Sequence, residues 1–206
     1  MNPFTMYERP GFPMELLKER ILRDGRALSE RVLLVDSFLN HQVDPRLMRS
    51  VGEAFAERFR DMGITKVVTI EASGIAPAVM AAEALNVPMV IMKKSISSIL
   101  REGIIQTEVF SFTKNEAYLL TLKSDFLTGA DRVLLIDDFL ANGEAAFGAI
   151  RLIEQAGARV QAVGAVIAKA FQPGLQKLRA AGYPTVALAA VKRMGDGFIE
   201  FEEDEK

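Results

Sequence analysis

The chain has 206 residues, 50% of them hydrophobic and 25% charged, proportions of a globular chain with a sizeable core and not of a disordered one. Twenty-five Lys and Arg stand against 27 Asp and Glu, so there is no excess positive field to draw it onto nucleic acid. The lack of cysteine excludes disulfides, thiolate zinc sites and thiol nucleophiles, and the single His41 excludes a multi-histidine metal cluster.

No apolar run reaches the roughly 18 residues of a membrane span, and Glu8 and Pro10 stand where a signal peptide needs an apolar stretch. A cytoplasmic protein without membrane or nucleic-acid partners is expected. Residues 1–13, MNPFTMYERPGFP, hold three prolines and no helical period, and read as a loosely ordered leader ahead of a single domain over 14–206. Leu17 and Ile21 then recur at helical spacing, and Gly25 predicts a helix end after Asp24. The mostly apolar VLLVDSFLNHQ follows. Asp44 before Pro45 is an N-cap followed by proline at the first helical position, and Leu47, Val51, Phe55, Phe59 and Met62 trace one face as far as Gly63.

Beyond Gly63, short apolar runs alternate with helical stretches: KVVTI, IAPAVMAAEAL, VPMVIM, RVLLID, EAAFGAIRLIEQ, VQAVGAVI, PGLQKLRAA and TVALAA. That order predicts an α/β fold, and runs such as VLLI, with no polar alternation, predict parallel strands covered on both faces. VFSFT and AYLLTL read as an antiparallel excursion, and the closing FEEDEK as a solvated acidic tail.

The sharpest chemical feature is RVLLIDDFLANGEAAFGAI, in which an apolar strand ends in Asp137 and Asp138, crosses a small-residue loop and enters an amphipathic helix. At the carboxyl end of a parallel strand, carboxylates face the crevice where open sheets bind ligands, and vicinal sugar hydroxyls are natural partners. Across Ala141, Asn142, Gly143, Glu144 and Ala145, small side chains let backbone N–H groups close on an anion at a helix N-terminus. Glu144 beside a bound phosphate would cost roughly 4 kcal/mol at 4 Å with an effective dielectric of 20, so its carboxylate is expected to point away or be screened.

LLIDDFLANGEAA, together with VDSFLNHQVDP, resembles the phosphoribosyl diphosphate motif region of type I phosphoribosyltransferases, in the Ala-Asn-Gly form of the bacterial xanthine phosphoribosyltransferases. The resemblance extends to TIEASGIAPAVM and VIAKAFQPG and covers nearly all of residues 14–200. It implies a mainly parallel sheet flanked by helices, a small N-terminal hood drawn largely from residues 14–44, and transfer of a 5-phosphoribosyl group to a purine base. Asp137 and Asp138 match the ribose-facing acids, and Ala141 to Ala145 the 5′-phosphate loop.

Ala72, Ser73 and Gly74 resemble the family's diphosphate loop, where small residues permit close backbone approach. Lys93 and Lys94, after VPMVIM, could neutralise diphosphate oxygens, although two lysines in isolation are more often solvated surface. The stretch 95–108 would supply a closing loop; Ser95 and Ile96 stand where relatives usually carry basic residues. Lys169 donates to an exocyclic carbonyl and cannot accept from an amine, which favours an oxopurine, and Phe171 offers a stacking face or simply a core contact. Leu33 and Asn40 match residues that read xanthine from the hood. His41 beside them is either a base catalyst or, more commonly, a structural polar group.

Mg²⁺ is expected to arrive on the diphosphate, with no protein metal cage. The family implies a homodimer. Guanine or hypoxanthine transfer, or a regulator that senses phosphoribosyl diphosphate without turnover, are the alternatives. The regulator would need a DNA-binding segment larger than the roughly 27 residues before Leu28.

Overall fold

The computed structural model describes residues 13–94, 102–111 and 116–203. In chain order these form α1 (Pro13–Asp24), β1 (Arg26–Ala27), β2 (Leu33–Leu34), a π-helical turn (Asp36–Asn40), α2 (Pro45–Phe59), a 3₁₀ turn (Arg60–Met62), β3 (Lys66–Ile70), α3 (Ile75–Leu85) and β4 (Met89–Met92). There follow β5 (Ile104–Ser111), β6 (Glu116–Lys123), β7 (Arg132–Leu140), α4 (Glu144–Gln155), β8 (Arg159–Lys169), α5 (Gly174–Ala180), β9 (Thr185–Gly195) and β10 (Phe198–Phe201).

The helix boundaries come from local chemistry. Asp44 accepts hydrogen bonds from the Arg46 and Leu47 amides, satisfying two N–H groups that lack a partner inside α2, while Pro45 supplies a preset φ. At the far end Gly63 takes a left-handed conformation (φ 63°) that stops the chain turning further. The face through Leu47, Val51, Phe55 and Phe59 is buried as its spacing predicts.

Six strands make the central sheet in the order β10-β9-β8-β7-β3-β4. All neighbours are parallel except β10, which pairs antiparallel with β9. Strand β7 shows why VLLI lacks polar alternation: Leu134 and Ile136 enter the core under α1, α2 and α3, while Val133 and Leu135 enter the core under α4. The excursion β5–β6 is an antiparallel hairpin, packed on α4 and linked to the sheet side by a Lys93–Thr121 bridge.

The expected solvated tail is corrected at its first residue, Phe201, while Glu202 and Glu203 are exposed. Phe201 lies in β10 opposite Val191, half-buried against the core, and the Glu202 amide donates to the Ala190 carbonyl. The signal was present as Asp196-Gly197 between apolar residues: β9 and β10 join through that two-residue turn, with Gly197 at φ 76°.

Helices α2 and α3 cross at Gly52, where a Cβ would lie 2.5 Å from the Met80 carbonyl carbon and 2.6 Å from the Ala81 nitrogen. Gly52→Ala is expected to lower unfolding free energy by about 1–2 kcal/mol through overpacking, even though alanine alone favours a helix by about 1 kcal/mol over glycine. Urea denaturation checks this, and a more stable variant would show that the crossing has room to spare.

Candidate active site

Connections leave β3 toward β4 on one side and β7 toward β8 on the other, so a crevice opens between the carboxyl ends of these two paired strands. Each strand there runs into a tight loop and then a helix. After β3 come Glu71 to Gly74, with a cis Glu71–Ala72 peptide, before α3 begins at Ile75 with Pro77 in its first turn. A Cβ on Gly74 would lie 2.4 Å from Thr69 Oγ1 and 3.4 Å from Asp137 Oδ1, so the loop lies directly on the end of the sheet. After β7, Ala141 and Asn142 lead to Gly143 at φ 92°, and α4 opens at Glu144.

A cleft of about 360 Å³ lies over this end of the sheet, lined among others by Lys94, Tyr118, Asp137, Asp138 and the whole loop Ala141 to Ala145. The two acids are adjacent at the end of β7 and stay in contact: the Asp138 amide donates to Asp137 Oδ1 at 3.0 Å, and the two carboxyls interact directly. Asp138 Oδ2 accepts from Asn40 Nδ2 at 3.1 Å, a contact between residues 98 apart in sequence. Asp137 meets the field of Lys94 and Tyr118 on the hairpin side. Its carboxyl touches the cleft yet is surrounded by protein; burial pushes it well above the ordinary carboxylate range, Asp138 adds repulsion, and Lys94 only partly offsets them. The Tyr118 phenol is raised by burial and by Asp137.

Glu71 ties the first loop to the lysines: its carboxylate accepts from the Lys94 amide at 2.6 Å and pairs with Lys93 Nζ at 3.1 Å. Gly74 is buried, Ser73 half-buried and Ala72 exposed; all three, like Lys93, stand outside the lining of the cleft. Lys169 is 9% exposed, donates to the Arg31 carbonyl at 2.5 Å, and lies 5.6 Å from the centre of the Phe139 ring. Burial lowers its pKa. Leu33 is buried in β2, and Phe171 is 42% exposed. His41 is exposed, its Nδ1 3.2 Å from Asp36 Oδ1, and lies outside the lining of the cleft. Glu144 faces Lys177 at 3.6 Å.

Sequence reasoning missed Tyr118 and Phe139. Tyr118 was recoverable from the two-residue period of β6, since Leu120 and Leu122 on the same face are buried. Phe139 directly follows the acid pair. Of the stretch 95–108, expected to supply a closing loop, residues 95–101, with Ser95 and Ile96, lie outside the described residues, whereas Ile104 to Glu108 are not loop but part of strand β5, paired with β6.

No family model matches the chain. Among solved structures, it is similar to adenine phosphoribosyltransferase from Thermoanaerobacter pseudethanolicus, with a TM-score of 0.70 at 21% identity, covering 85% of this chain and 98% of that one. Adenine phosphoribosyltransferase from Rhodothermus marinus gives a TM-score of 0.68 at 27% identity, covering 85% of this chain and 97% of that one. The fold is therefore that of a type I phosphoribosyltransferase. Over 190 residues the chain is 56% identical to a xanthine phosphoribosyltransferase of Streptococcus pneumoniae, covering 92% of this chain and 98% of the relative. It belongs to the xanthine phosphoribosyltransferase family.

Because folding raises the Asp137 pKa, the folded state holds more protons than the unfolded state above the unfolded carboxylate pKa of about 4. Stability is therefore lost as pH rises from there through the folded pKa. Asp137→Asn removes this loss, so the melting temperature of the variant relative to the parent should be higher at pH 7 than at pH 4.5. A difference independent of pH would show that the carboxyl stays ionised in the fold.

Proposed function

We propose that the chain transfers the 5-phosphoribosyl group of 5-phospho-α-D-ribose 1-diphosphate to xanthine, giving xanthosine 5′-phosphate and diphosphate, as a purine-salvage enzyme. One observation carries the reading: a loop-to-helix anion pocket, an acid pair and Lys94 line a single cleft at the carboxyl ends of adjacent parallel strands. Xanthine is the base named for the relative that matches nearly the whole chain.

The backbone of Ala141 to Ala145 and the start of α4 hold the 5′-phosphate. Asp137 and Asp138 meet the ribose, and Ala72, Ser73 and Gly74 with Lys93 and Lys94 meet the diphosphate. The bond from the anomeric carbon to diphosphate breaks as the carbon–nitrogen bond to the base forms, and the base loses a proton. Positioning and electrostatics suffice, with no covalent nucleophile. Mg²⁺ supplies charge neutralisation on the departing diphosphate. Asp137 or Asp138 would stand alongside the ion, and substrate oxygens and water would hold the rest of it.

The base lies under the hood (residues 14–44 of a single 14–206 domain), against Leu33, Asn40, Lys169 and Phe171. An ammonium carries three donors, so Lys169 can hold the Arg31 carbonyl and still donate to an oxopurine carbonyl. The working form is a homodimer, as the family resemblance implies. Among the described residues, no helix is long and apolar enough to cross a membrane.

The test is nucleotide formation from xanthine, guanine, hypoxanthine and adenine with Mg²⁺ and phosphoribosyl diphosphate. Strong xanthine preference is expected. A guanine or hypoxanthine preference would overturn the hood assignment alone, and binding without turnover would favour a sensing role. Asp138→Asn should depress turnover with every base. Lys169→Ala should cut kcat/KM for oxopurines about 10- to 100-fold, the scale of a hydrogen bond to a charged group. Equal loss for adenine would remove its role in specificity.

A further inference from the structure

Helix α4 begins with a carboxylate at the point where a phosphate pocket needs positive potential. Glu144 is its first residue and lines the cleft. The helix N-terminus attracts a carboxylate as readily as a phosphate, so an unrestrained Glu144 would compete with the substrate for the same field. In the structure its carboxylate faces α5: Glu144 Oε1 lies 3.6 Å from Lys177 Nζ.

Helix α5 is tied to the loop through its backbone. The Gly174 amide donates to the Ala141 carbonyl at 2.9 Å. A Cβ at Gly174 would lie 2.3 Å from that oxygen and 2.8 Å from the Gly143 nitrogen, so the approach depends on glycine. Lys177 follows one helical turn later, and its amide donates to the Pro173 carbonyl. The docking of α5 on the loop thus also places the backbone of Lys177 within side-chain reach of Glu144.

We infer that Lys177 is a positioning residue of the ribose-phosphate site: it draws the Glu144 carboxylate aside and neutralises it, and thereby sets the affinity for phosphoribosyl diphosphate. This rests on the assignment of Ala141 to Ala145 to the 5′-phosphate. Lys177 acts through Glu144 and does not itself touch the substrate.

Steady-state kinetics with phosphoribosyl diphosphate varied at saturating xanthine test it. Lys177→Gln should raise KM for phosphoribosyl diphosphate about three- to fivefold, the scale of a half-exposed ion pair, while kcat and KM for xanthine move less than about twofold. Lys177→Arg should restore the KM. The ratio of variant to parent KM should shrink as salt rises from about 0.05 to 0.5 M, because unmasked repulsion is screened. In a Glu144→Gln background, Lys177→Gln should have almost no effect on KM.

The same KM rise in the Glu144→Gln background would overturn the inference, because Lys177 would then act without Glu144. Ala145→Asp, checked for folding by its melting temperature and its KM for xanthine, separates this from the underlying assignment. A carboxylate inside the loop should raise KM at least about tenfold. If Ala145→Asp has no effect, the phosphate-loop assignment fails; if it raises KM while Lys177→Gln has none, only the screening role fails.

Discussion

The parallel pairing of β3 with β7 is the constraint on which the site depends. Lys66 to Thr69 lie in register with Val133 to Ile136, and both strands are covered on both faces. Their connections depart in opposite directions, so the carboxyl ends form an open place where two loops and two helix starts face each other. The small residues of both loops follow from this. Gly74 must lie on Thr69 and Asp137, and Gly143 must adopt a left-handed turn beside Gly174.

Burial at that junction changes the chemistry of the acid pair. The two carboxyls remain in contact with each other, yet their surroundings differ. Asp137 is enclosed beside the hairpin, where burial raises its pKa, and Asp138 accepts a hydrogen bond from Asn40. Two identical side chains thus become unlike groups through position alone.

The N-terminal segment is joined to the sheet by polar contacts with groups of the proposed site, Asn40 to Asp138 and the Arg31 carbonyl to Lys169. A buried ammonium without a partner would be costly, so the Arg31 carbonyl is as much part of the fold as of any recognition surface. The same economy appears at the first loop, where Glu71 engages both the Lys93 side chain and the Lys94 backbone.

Local patterns in the chain determined the helices, the buried parallel strands and the strand-acid-loop-helix order. Each rests on a short-range rule: Asp44-Pro45 capping α2, unalternating VLLI covered on both faces, and small residues after Asp138 leading into α4. β10 was equally local, encoded in Asp196-Gly197, and was missed because acidic residues follow it. Only tertiary structure decided that Asn40 reaches Asp138, that Tyr118 shares the cleft with Lys94, and that Lys177 faces Glu144. These pairs join segments whose separation is set by strand order and helix docking, and spacing along the chain carries no record of such distances.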